Sequence, residues 1–241
     1  MAPCGRWPSG STSIPSDAPR LVAMSEASDA ATVHEPEQVT PQGPPDDRLP
    51  ELDAEARERR TAALAQIRTF GDPVLKSRAA EVTSFGPELA REAERMVAIM
   101  RDAIGVGLAA TQLGVMHRLL VFQAGLDATP TAIANPELEW TSDDVATAEE
   151  GCLSLPRVAV DVERPLYARV RGVDVRGESL LVEASGLEAR VLQHELDHLD
   201  GVLMLDRTTR DQRKAALGAL REGETYSPSQ NTSDDSDESS G

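Results

Sequence analysis

His194-Glu195-Leu196-Asp197-His198 places two imidazoles four residues apart, with a carboxylate between them. On a helix of 3.6 residues per turn, positions 194 and 198 share a face, where both rings can reach one metal ion. Glu195 projects about 100° round the helix, near enough to work on a water at that metal without being a ligand. The pattern suits metal-assisted hydrolysis; its plain alternative is a solvated, charged helix face. Leu192, Leu196 and Leu199 recur at i, i+4 and i+7, an apolar stripe beside the histidines. Gly201 follows as a suitable stop. The expected helix therefore has a core side and a chemistry side.

Two histidines leave the ligand set short, because a catalytic zinc site usually takes three protein ligands and keeps one position open. A metzincin-type extension would need a third histidine where this chain has Met204, and a thioether is a poor ligand for a hard, hydrolytic metal. The other histidines are His34, in low-complexity sequence, and His117, beside Arg118. A better donor lies upstream, in Glu149-Glu150-Gly151-Cys152-Leu153-Ser154-Leu155-Pro156. The second cysteine, Cys4, sits in very different sequence, so no disulfide framework is indicated and a reduced, intracellular setting is expected. A lone cysteine is most often a small buried apolar residue. Combined with a His-x-x-x-His helix, and with Gly151 permitting close backbone approach, Cys152 as a thiolate completes a Cys-His-His set.

Gly105-Val106-Gly107-Leu108-Ala109-Ala110-Thr111-Gln112 is the third informative segment. Read blandly, it is a glycine-rich turn opening a stretch of small, packed residues. It lacks the third glycine and the βαβ context of a dinucleotide fingerprint. Gln112, after a run of small side chains, can be packed tightly and aimed into a cleft.

These three segments, in this order, resemble the peptide deformylase family, whose motifs read G-x-G-x-A-A-x-Q, E-G-C-x-S and Q-H-E-x-D-H-x-x-G. Every motif-defining position is matched, and Thr111 falls at a variable one. Ile67-Arg68-Thr69-Phe70-Gly71-Asp72-Pro73-Val74-Leu75 is similar to the opening of the family's catalytic domain, and the likeness covers residues 64 to 220. It implies antiparallel β-sheets packed around a central metal-binding helix, with Cys152, His194 and His198 as ligands. It implies Glu195 as general base and then acid, and the Gln112 amide and Leu153 backbone N–H as oxyanion donors. Fe²⁺ is the working ion it implies, with Zn²⁺ or Ni²⁺ able to occupy the same site.

The implied substrate is the formyl group of formyl-methionyl nascent polypeptides, met at the ribosome by a cytoplasmic monomer. Val191 and Leu187 would line an apolar methionine pocket, and Val106, Gly107 and Gly151 would flank the peptide backbone; each apolar residue has plain core as its alternative. Two rival readings are a zinc metallopeptidase, marked by cleavage of unformylated peptides, and a catalytically silent binding homologue. The second is marked by a lost ligand or base, and none is lost here.

The elements that must position these residues alternate along the middle of the chain. Leu89, Ala93, Met96, Val97, Met100 and Ile104 have helical spacing, which predicts a helix over 87–103 with Pro87 in its first turn. Strands are expected at 119–122, at 131–140 with an interruption at Asn135-Pro136, at 158–163, and at 180–183. Alternation over 168–175 changes phase at Gly172, which suggests a bulge there. A last helix is expected over 208–221. Strand-rich sequence between helices indicates an α+β fold.

The ends are different material. Residues 1–60 are rich in Pro, Ser and acidic groups, and 223–241 are acidic with no Lys or Arg. Both are expected to be disordered, since neither can bury enough apolar surface to offset its ordering entropy. Residues 61–222 remain as one catalytic domain of ordinary size. The net charge of −17 argues against nonspecific nucleic-acid binding. No run approaches the roughly 20 apolar residues of a membrane span, and none near the start resembles a secretory signal. The first residues leave open a transit peptide, a start at Met24, and a plain leader.

Overall fold

A computed structural model of the protein describes residues 52–124 and 128–231; Cys4, His34 and the disorder expected of the outermost ends lie outside the described residues. The elements begin with α1 (Ala54–Leu64), α2 (Pro87–Asp102), β1 (Gly107–Ala109), β2 (Leu119–Phe122) and β3 (Thr131–Thr141). A hairpin of β4 (Val145–Cys152) and β5 (Leu155–Pro165) follows, then β6 (Tyr167–Val173) and β7 (Ser179–Ser185). Helices α3 (Gly186–Leu199), α4 (Arg210–Glu222) and α5 (Pro228–Asn231) close the chain. Among the described residues no helix is long and apolar enough to cross a membrane.

Strands β1-β2-β3-β6-β7, in that order, form an antiparallel sheet, and β4 and β5 pair separately. Helix α3 packs against every strand of the larger sheet and against β5. The α+β arrangement with antiparallel sheets around the histidine-bearing helix is thus as expected. Leu192 and Leu199 are fully buried among Leu120, Phe122, Ile133 and Val170, each such leucine contributing roughly 1.5–3 kcal/mol of transfer free energy. Helix α2 buries Leu89, Ala93, Met96, Ile99 and Met100, the stripe its spacing required, while Val97 is only partly buried.

Three expectations need correction. The strand over Asn135-Pro136 is not interrupted: β3 runs through, with its register against β6 shifting between Ala134 and Glu137. Asn135 adopts φ 50 at the shift, and its side chain exchanges hydrogen bonds with the Val82 backbone at 2.8 and 2.9 Å. The bulge accordingly lies on β3 and not at Gly172, whose strand pairs with β7 in unbroken register. Gly172 instead permits close approach, for a Cβ there would stand 2.4 Å from Ile133 Cγ2. Lastly, the compositional boundaries fall inside described structure. Helix α1 starts at Ala54, capped by the Asp53 carboxylate accepting from Ala56 N at 2.7 Å. Beyond Gly223, Tyr226 accepts from Ala159 N at 2.8 Å and donates to Arg157 O at 3.0 Å, laying residue 226 along β5.

Candidate active site

Helix α3 carries the histidine motif through the interior: residues 189–199 are all buried. A solvated, charged face is therefore excluded. Burial of Arg190, His194, Glu195, Asp197 and His198 in one helix is costly unless each charge is matched, so the surrounding elements must supply partners.

Cys152, at the end of β4, meets His194 and His198 in a buried cluster whose donor atoms lie within 4.8 Å of one another. Cys152 Sγ stands 3.2 Å from His198 Nε2, and the two imidazoles meet edge to face with centroids 4.9 Å apart. Zn–S and Zn–N bonds of about 2.3 and 2.1 Å put a tetrahedral S···N edge at about 3.6 Å, so these donors have roughly the spacing of a ligand set. His194 Nε2 is buried with no hydrogen-bond partner among the described residues, as a nitrogen reserved for a metal would be. Met204 is packed in the core with Leu203 and Leu205, and exposed His117 pairs with Glu92 at 3.1 Å. Neither joins the cluster.

Glu150 organises the surroundings. Its Oε2 accepts from His194 Nδ1 at 2.9 Å and from Arg164 Nη2 at 2.9 Å, and its Oε1 accepts from Arg164 Nε at 2.6 Å and Arg190 Nη1 at 2.8 Å. Burial opposes charge on this carboxyl, yet His194 and Arg164 hold it far below the usual carboxylate range. An ionised Glu150 makes His194 Nδ1 the donor, which turns Nε2 toward the cluster. Burial likewise opposes charge on His194, but Cys152 and Glu150 outweigh it and raise its pKa well above the ordinary value. The field thus draws positive charge to the cluster, a proton or a metal cation. His198 is pushed well below its ordinary value, by burial and then by the charges of His194 and Arg164. Arg164 Nη1 also reaches Asp197 Oδ2 at 2.9 Å, and Arg207 grips the same carboxylate.

Glu195 is fully buried, and its side chain lies against the backbone of β1. A Cβ on Gly107 would fall 2.4 Å from Glu195 Oε1, so glycine at 107 is what admits the carboxylate. Gly107→Ala should displace it by on the order of 1 Å and slow turnover at this site about 10²-fold. An alanine variant as fast as the parent would show that the carboxylate is not held by this contact. Gln112, in the short 3₁₀ turn after β1, is also fully buried. Its Oε1 accepts from Ala109 N at 2.9 Å, which leaves Nε2 to donate to Ser154 Oγ at 3.2 Å and to face Cys152 Sγ at 3.8 Å.

Leu153 lies between Cys152 and Ser154, with its side chain in the first core cluster. Gly151 is buried opposite Ala159 in the β4–β5 hairpin. Val191 is fully buried in the second cluster, against which Val106 and Leu187 pack partly exposed. Sequence reasoning missed the roles of Glu150, Arg164 and Arg190. Their sequence carries no signal of these roles, since each depends on partners from other elements.

A family model described as polypeptide deformylase matches residues 64–214. A peptide deformylase of Thermotoga neapolitana is 48% identical over 142 residues, 59% of this chain and 85% of its own. One from Parafrankia sp. is 44% identical over 162 residues, 67% of this chain and 88% of its own. The crystal structure of peptide deformylase from Thermotoga maritima is similar with a TM-score of 0.57 at 45% identity, covering 59% of this chain and 96% of that one. With three motifs on one buried site and matches of this extent, the chain belongs to the polypeptide deformylase family, enzymes that remove the N-terminal formyl group.

Proposed function

We propose that Cys152, His194 and His198 hold one divalent metal, with Glu195 as general base and then acid, and Gln112 and the Leu153 N–H as oxyanion donors. The observation that carries this is the buried trio of donors with an orphaned His194 nitrogen. Iron(II) is the working ion in this reading, and Zn²⁺ or Ni²⁺ fits the same sulfur and imidazole donors. When bound, the metal acts as a Lewis acid and lowers the pKa of a water from 15.7 toward about 7.

Glu195 then accepts the proton lost as the water oxygen attacks the formyl carbon, and returns it to the departing amide nitrogen. Burial keeps bulk water from competing at that carboxylate. The Ala109 N–H holds the Gln112 amide in one orientation, so its Nε2 hydrogens are fixed before the oxyanion develops. Formyl is the smallest acyl group, and a packed cavity admits it more readily than larger ones. β1 is the terminal strand of its sheet, so Gly107 offers backbone pairing to an extended peptide, which Val106 and Gly151 flank in this reading. Val191 and Leu187 form the wall of the methionine pocket. In this reading the protein acts as a monomer, in the cytoplasm, on formyl-methionyl chains at the ribosome.

Gln112→Ala tests the assignment. Release of formate from formyl-Met-Ala-Ser should fall by about 10²–10³-fold, the usual cost of one oxyanion donor, with metal content intact. An unchanged rate would remove Gln112 from the role, and cleavage of unformylated peptides by the parent would favour a peptidase.

A further inference from the structure

Arg190 is buried on α3, one helical turn before His194. A guanidinium in that position is costly unless its donors are used. Here Nη1 donates to Glu150 Oε1 and to Val162 O, both at 2.8 Å, and Nη2 donates to Ala146 O at 2.6 Å. Ala146 and Glu150 belong to β4, Val162 to β5. One helical side chain thus grips both strands of the hairpin that ends in Cys152.

Arg164 also ties the hairpin to the helix, through Asp197 at 2.9 Å beside His198, but its bonds to Glu150 stay within the hairpin. Arg190 makes its tie from the helix, one turn before His194, and reaches both strands. Its planar fork gives the tie a direction as well as a distance. Glu150 completes the link: its Oε1 takes Arg190 while its Oε2 takes His194, so positions 190 and 194 are read against the same carboxylate.

We infer that Arg190 is a positioning residue for the ligand set, setting the separation between Cys152 on the hairpin and His194 and His198 on the helix. The inference rests on the reading that these three residues hold a metal. The brace acts on metal affinity and coordination geometry, beyond any contribution to packing.

The test compares wild type, Arg190→Lys and Arg190→Met by Zn²⁺ affinity, measured in competition with a chromophoric chelator, and by the visible spectrum of the Co²⁺-loaded protein. Arg190→Met should bind Zn²⁺ about 10–100-fold more weakly, the usual effect of losing an outer partner of a metal ligand, with a changed Co²⁺ spectrum. Arg190→Lys keeps the charge without the fork and should fall between; it decides alone if the methionine variant does not fold. Variants that bind Zn²⁺ within about twofold of wild type, with its Co²⁺ spectrum, would overturn the inference even if both melt lower. Wild type that binds neither ion would overturn the metal reading itself, and the brace with it.

Discussion

Glu195→Gln is expected to slow formate release by about 10²–10⁴-fold, the usual worth of a positioned acid–base group, while bound metal stays at the wild-type level. The expectation follows from two features of the site. Glu195 is not among the three clustered donors, so its replacement removes no ligand. It is fully buried against Gly107, so no bulk water stands ready to carry the proton in its place. Glutamine keeps the volume that fits beside Gly107 but cannot accept a proton. Turnover of formyl-Met-Ala-Ser, metal analysis and a melting curve on the same preparation separate the possibilities. A folded, metal-loaded variant within about tenfold of the parent rate would take proton transfer away from this residue.

Cys152→Ala should abolish both stoichiometric metal binding and deformylation. In the proposed reading the thiolate is one of three ligands, and two imidazoles alone would leave the site short of the usual protein set. The change deletes a single heavy atom from a side chain packed beside Leu155 and Val160, so the metal-free protein should still fold. What it should lose is metal-linked stability: about 2.7 kcal/mol at a metal concentration a hundredfold above Kd. The check is a pair of melting curves, with and without added metal. In the parent the metal raises the midpoint, and in the variant the two curves should coincide. Equimolar metal in the variant would mean that Cys152 is not a ligand and that another donor completes the set.

The likeness of the site to its sequence reading has a physical basis in which interactions are local. His194 and His198 are four residues apart, and helical geometry alone puts them on one face; no distant contact is needed to see it. The same holds for the α2 stripe and for Gly107, whose missing side chain is visible as a letter. Arg164 and Arg190 were not legible, because arginine reads as a surface residue until its partners are known. Those partners, Glu150, Asp197, Ala146 O and Val162 O, lie on other elements. The bulge expected at Gly172 fell on β3 for a related reason: alternation along one strand records a phase change without saying which strand of the pair absorbs the extra residue.

By itself, then, the sequence determined the chemistry available: a thiol, two imidazoles one turn apart, a carboxylate between them and a packed amide, in motifs that mark a deformylase. Tertiary structure decided whether these groups act as one. It buried a helix whose local sequence fits a solvated face equally well, oriented Gln112 through Ala109 N–H, turned His194 with Glu150, and braced hairpin to helix through Arg190. Ligand types follow from local covalent structure, whereas their separation and charge state depend on desolvation and on hydrogen bonds between residues far apart in the chain.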